Sequence, residues 1–192
     1  MKHNNFMGIL RKIYRFSIDT TQQLVLTFAV FAVIYIFLFR PFQVSGNSMY
    51  PNFFDKEYVL TNVITLRFNK PKLGDVIVFK APDNPQKDYI KRVIGLPGDI
   101  IEIENGNVYI NERPLDQNSY LDPLVKTYGG SFLKEHMAIT VPDNAYFVLG
   151  DNRTGSSDSR EWGFVPLSNI VGQSMLTYWP INKLGFIKNP YN

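Results

Sequence analysis

Two histidines and no cysteine leave few ways to build a nucleophilic site in this chain of 192 residues. The lack of cysteine excludes a thiolate nucleophile, a thiolate metal site and a disulfide scaffold. A metal centre of several histidines is excluded by the same count. A serine–histidine–acid triad needs a histidine in the folded part of the chain. His3 lies in the N-terminal tail, and His136 sits in the irregular run KEHMAI, away from every glycine-bounded serine. A reactive serine here therefore needs another base. Lysine can serve where burial draws its pKa toward neutrality.

Three segments concentrate suitable residues: FQVSGNSMYP at Phe42–Pro51, YIKRVIGLPGD at Tyr89–Asp99 and GDNRTGSSDSREWGF at Gly150–Phe164. Each alone reads as a turn, an edge strand or a hydrogen-bonded loop. The second segment says more. Strand alternation puts Tyr89, Lys91 and Val93 on one face and Ile90, Arg92 and Ile94 on the other. Each face carries one cation among apolar neighbours. One can be solvated; the other must meet apolar surroundings, where a lysine becomes a neutral base. Alternation does not choose between them.

These segments need elements to position them. Thr20–Phe39 is an uncharged stretch of 20 residues. As a helix it spans about 30 Å, the thickness of a bilayer core. It is apolar on every side, and Arg40-Pro41-Phe42-Gln43 after it fits a signal-peptide cleavage site poorly. A retained anchor is expected. Residues 1–40 carry five basic residues against Asp19, a charge of +4; the remainder has fifteen basic and sixteen acidic, a charge of −1. The pI near 9.0 thus belongs to the tail, and a nucleic-acid footprint on the folded part is not expected. Four basic residues precede the anchor and one follows. The positive-inside rule puts residues 1–19 in the cytoplasm, 20–39 in the membrane and 40–192 outside.

Beyond Arg40 the chain reads as short strands: Lys56–Val63, Asp75–Lys80, Asp88–Ile94, Asp99–Glu104, Asn107–Asn111, Ala145–Leu149 and Ile170–Trp179. Asn105-Gly106 is a strong hairpin signal between two of them. No helical periodicity of useful length appears. The fold class expected is mainly β, an antiparallel sheet domain behind one N-terminal transmembrane helix, with an irregular insertion near 103–141.

In this order, the motifs resemble those of type I signal peptidases, the serine/lysine leader peptidases of the bacterial plasma membrane. Ser48-Met49-Tyr50-Pro51 is similar to the family's nucleophile motif. Leu73–Phe79 is similar to its strand motif, Lys91–Asp99 to its lysine motif, and Gly150–Arg153 with Ser156–Arg160 to its last box. The resemblance runs from about Arg40 to Trp179. It implies Ser48 as nucleophile, Lys91 as general base and Ser156 as the hydroxyl that orients the lysine. It further implies Asp158 and Arg160 as a supporting pair, with Asp151 and Asn152 fixing the turn of the last box. Phe42, Val44, Met49, Phe53, Tyr89 and Ile90 fall where the family has its shallow substrate pockets. Gly46 stands where some members carry a serine that donates to the oxyanion; the short single-anchor members typical of Gram-positive bacteria are similar in having glycine. The oxyanion hole then rests on the Ser48 N–H and a second donor that residue types do not name. Ser45 is three residues from the nucleophile and is not counted as that donor.

The implied activity is removal of signal peptides from secreted preproteins, by cleavage after a small-x-small site, with no cofactor and no metal. The implied partners are preproteins and the lipid bilayer, not nucleic acid. Ser48 is eight residues beyond Arg40, at most about 28 Å of extended chain, which keeps the site near the bilayer surface. Aromatics near Phe42, Trp162 and Trp179 are candidates for the headgroup region. A catalytically inactive tethered homologue is disfavoured by the presence of both Ser48 and Lys91. A self-cleaving repressor would need a DNA-binding domain in place of Thr20–Phe39. An organellar version of the peptidase would be expected to show a transit peptide.

Overall fold

The computed structural model describes residues 2–82 and 84–192. Met1, the first residue of the expected tail, lies outside them. The chain divides into two units, residues 1–38 and 39–192.

The first unit is helix α1 (Lys2–Leu38). Within it, Arg11–Val33 is long and apolar enough to cross a membrane. Its apolar side chains, Leu24, Val25 and Phe28 among them, are exposed. The helix stops one residue short of the expected anchor end, because Phe39 already pairs with Asn62 in a sheet.

The second unit is antiparallel throughout. Its strands are β1 (Phe39–Gln43), β2 (Tyr58–Asn62), β3 (Val76–Lys80), β4 (Asp88–Gly95), β5 (Ile100–Glu104), β6 (Asn107–Ile110), β7 (Arg113–Pro114), β8 (Ile139–Thr140), β9 (Ala145–Leu149), β10 (Val165–Pro166), β11 (Ile170–Trp179) and β12 (Gly185–Phe186). The larger sheet runs β1-β2-β11-β3-β4-β9-β10, with β12 on β11; the smaller runs β7-β6-β5-β8. Helices α2 (Thr65–Phe68) and α3 (Ser159–Trp162) have four residues each, too short to leave a periodic signal.

The smaller sheet corrects one expectation. The stretch near 103–141 is not wholly irregular, because Ile101, Ile103 and Val108 bury against Phe147, Leu149 and Leu133. At its hairpin Asn105 and Gly106 both take positive φ, 52° and 79°, as the Asn-Gly pair requires.

A second correction concerns the two cations. Strand β4 lies between β3 and β9, and both of its faces are covered. Val93 packs with Ile77 and Val148, while Ile94 packs with Phe147 and Leu149. Neither Lys91 nor Arg92 is solvated: they are 4% and 3% exposed. Trp162 also departs from expectation. It packs on Phe79 in the core, ring centroids 5.9 Å apart, instead of pointing outward. Trp179 is exposed.

Candidate active site

The nucleophile candidate opens a tight turn, residues 48–52. The N–H groups of Asn52 and Phe53 both donate to the Met49 carbonyl. Met49 and Phe53, four apart, anchor the turn in a core cluster with Val44, Val59 and Val76. They are fully buried and serve as its floor. Gly46, just before the turn, has φ +84° and donates its N–H to Asp55. A side chain there would meet no steric obstacle, so the backbone conformation is what favours glycine.

Lys91 reaches this turn from β4. Its Nζ lies 2.8 Å from Ser48 Oγ and 3.1 Å from the Ile90 carbonyl, donating to both when protonated. Burial draws its pKa down from 10.5 to about 8, against the opposing pull of Asp158 and Asp151. Roughly a tenth of such a lysine is neutral at pH 7, and a neutral amine hydrogen-bonded to a serine is what base catalysis requires.

The cleft beside this pair follows from the sheet. Strand β9 pairs with β4 only from Arg92 onward, so Tyr89, Ile90 and Lys91 face open space on that side. The resulting cleft, about 250 Å³, is lined by Phe42, Val44, Ser45, Ser48, Tyr89, Ile90 and Lys91, with Ser157 at one side. Of the six expected substrate contacts, four line it; Met49 and Phe53 lie beneath the turn.

The last box closes against the nucleophile turn through Gly150. A side chain there would run into the Ser48 carbonyl and the Ser156 side chain. Asn152 donates its N–H to the Ser48 carbonyl at 3.0 Å and its amide to the Asn47 carbonyl at 3.0 Å. Its Oδ1 accepts from the Gly155 N–H and so shapes the loop. Asp158 caps α3, accepting from the Arg160 N–H, and binds the Arg160 side chain through Nε at 2.8 Å and Nη2 at 2.9 Å. It also accepts from the Gly150 N–H at 3.0 Å. Ser156 Oγ is buried with no hydrogen-bond partner among the described residues. Lys91 makes no bond to it here; the amine bonds to Ser48 and Ile90 instead.

Asp151 turns its carboxylate away from the loop it was expected to fix. It takes two hydrogen bonds from Arg92 and one from Asn52. Tyr120 stacks over the Arg92 guanidinium, 4.3 Å from ring centroid to Cζ. Asn52 and Tyr120 carried no signal in the sequence reading. Arg92 was named only as the alternative to Lys91, and nothing in the sequence marked it as a buried partner of Asp151. His136 lies at the surface, 3.6 Å from Glu104, and does not line the cleft.

The Ser48–Lys91 pair in this cleft suits this β domain to the chemistry of a serine hydrolase with a lysine base. Comparison with known proteins gives the same class. The family model for signal peptidase, peptidase S26, matches residues 17–179. The probable signal peptidase I-2 of Synechocystis is 36% identical over 149 residues, 75% of this chain. The chain spans 65% of that relative's length. Signal peptidase I of Bacillus caldolyticus is 38% identical over 164 residues, 82% of this chain and 88% of the relative. Signal peptidase IB of Staphylococcus aureus is 33% identical over 176 residues, 86% and 91% of the two chains. The chain belongs to the peptidase S26 family of signal peptidases, which are serine endopeptidases.

Proposed function

We propose that this protein removes signal peptides from secreted preproteins, with Ser48 as nucleophile and Lys91 as general base. The observation that carries the reading is the 2.8 Å approach of Ser48 Oγ to the amine of a lysine that burial holds near pKa 8. Neutral Lys91 accepts the Ser48 proton as Oγ attacks the scissile carbonyl, then returns it to the leaving amine. The Ser48 N–H makes no hydrogen bond within the described residues, which suits it to the developing oxyanion. In the tetrahedral intermediate, where Ser48 Oγ is bonded to the substrate carbon and Lys91 still holds the proton, the ammonium needs another acceptor, and the Ser156 hydroxyl, unpaired among the described residues, fills that role. Asp158 with Arg160, and Asn152, hold the last box against the turn. Phe42, Val44, Tyr89 and Ile90 shape pockets that admit small side chains, while Met49 and Phe53 set their depth.

In the same reading residues 1–19 are cytoplasmic, 20–39 span the plasma membrane and 40–192 lie outside it. The charge asymmetry and the apolar exposure of α1 support this. The mechanism calls for no metal, no cofactor and no nucleic acid. The test is incubation of the detergent-solubilised protein with a preprotein, native chain against Ser48→Ala. Cleavage after a small-x-small site, absent in the variant, is expected. Undiminished cleavage by Ser48→Ala would mean another nucleophile.

A further inference from the structure

Asn52 follows Ser48 by four residues, at the far end of the same turn. Its side-chain amide donates to Asp151 Oδ2 at 2.8 Å and to the Tyr120 carbonyl at 2.8 Å. Both neighbours accept only, so the NH2 end of the amide must face them. Asp151 meanwhile takes two hydrogen bonds from Arg92, the residue after Lys91 in β4. One carboxylate thus receives donors from the segment that carries Ser48 and from the strand that carries Lys91.

We infer that Asn52 is a positioning residue: by sharing Asp151 with Arg92 it fixes the nucleophile turn against the strand that bears the base. This rests on the reading of Ser48 and Lys91 as the reacting pair. The apolar anchor of Met49 and Phe53 sets how deep the turn sits, but hydrophobic burial is non-directional. A hydrogen bond to a carboxylate is directional and stronger than one to a neutral group, so it sets the lateral position. That position matters because a misplacement of about 1 Å between reacting groups can cost on the order of 100-fold in rate. Asn52 touches no reacting atom; it acts through the backbone of its own turn.

The experiment uses the full-length protein in detergent with a preprotein substrate, and rates are normalised to folded enzyme. Asn52→Leu keeps the shape of the side chain and removes both donors. It is expected to lower kcat by about 10- to 100-fold, with KM and melting temperature little changed because the residue is exposed and outside the cleft. Asn52→Asp puts a carboxylate against Asp151. It is expected to lower kcat similarly and also to move the acid limb of the rate profile to higher pH. Lys91 already feels Asp158 and Asp151, and a third anion favours its protonated form further. Wild-type kcat in Asn52→Leu, or a loss confined to KM, would overturn the inference. Ser48→Ala and Lys91→Met are run alongside. Activity in either would sink the reading of the pair itself; silence in both, with full kcat in Asn52→Leu, would sink only the role of Asn52.

Discussion

The Arg92 guanidinium and the Asp151 carboxylate meet through two hydrogen bonds, Nε to Oδ1 at 2.8 Å and Nη2 to Oδ2 at 2.6 Å, with the residues 3% and 1% exposed. Removing one partner of such a pair strands a buried charge, at a cost of about 3–5 kcal/mol. Asp151→Ala is therefore expected to lower the melting temperature by several degrees or more. Asp151 also favours the charged form of Lys91, so its loss draws the lysine pKa further down. The surviving activity should show its acid limb at lower pH. Thermal melts and a pH–rate profile on one variant check both halves.

Asp158 and Arg160 form the second buried pair, but their losses are not equivalent. Asp158 also accepts from the Gly150 N–H, which its removal leaves unpaired. Arg160→Ala leaves Asp158 with that donor and with the Arg160 N–H. Asp158→Ala should cost about 3–5 kcal/mol and Arg160→Ala less, on the order of 1–3. Equal melting temperatures for the two variants would count against this asymmetry.

Burying Lys91 opposes folding, and pH sets by how much. Its folded pKa near 8 lies below the unfolded 10.5, so the native state holds its proton less tightly. The penalty is full below about pH 8, fades as pH rises from there through 10.5, and is gone above that, where both states are neutral. At most it is on the order of 3 kcal/mol. Lys91→Met, of similar length and uncharged, should melt several degrees higher than the native chain at pH 6–7. The difference should shrink between pH 8 and 10.5, as denaturation at a series of pH values would show.

The strands that position the site were legible where burial imposed a pattern. Ala145–Leu149 and Ile170–Trp179 stand out in the sequence at the bounds they have in the fold, because packing of β9 on both faces makes it a continuous apolar run. The first strand was hidden: Phe39–Gln43 abuts the apolar helix and contains an arginine and a proline. Residue types pointed to a serine with a lysine base, but the resemblance to signal peptidases, not the apolar neighbours, picked out Ser48 and chose Lys91 over Arg92. Asn52 could not be singled out, since an asparagine after Ser-Met-Tyr-Pro reads as a turn former. Its partner Asp151 lies 99 residues away and reads as a loop acid. The C-terminal end shows the same limit. Asn189 donates to Asp75 across 114 residues and Tyr191 to the Asp116 carbonyl across 75. No local pattern encodes pairings at such range.

The pH dependence of kcat/KM for preprotein cleavage tests the central claim most directly, because only neutral Lys91 can take the Ser48 proton. The rate should rise about tenfold per pH unit on the acid side and level off near pH 8, where burial holds the lysine. Lys91→Arg should be inactive across the whole range, since its guanidinium stays charged. His136→Ala should overlay the native curve, as that side chain lies at the surface beside Glu104. A native curve that is flat from about pH 6 to 9, or one with an inflection near 6.5 that vanishes in His136→Ala, would contradict a lysine base.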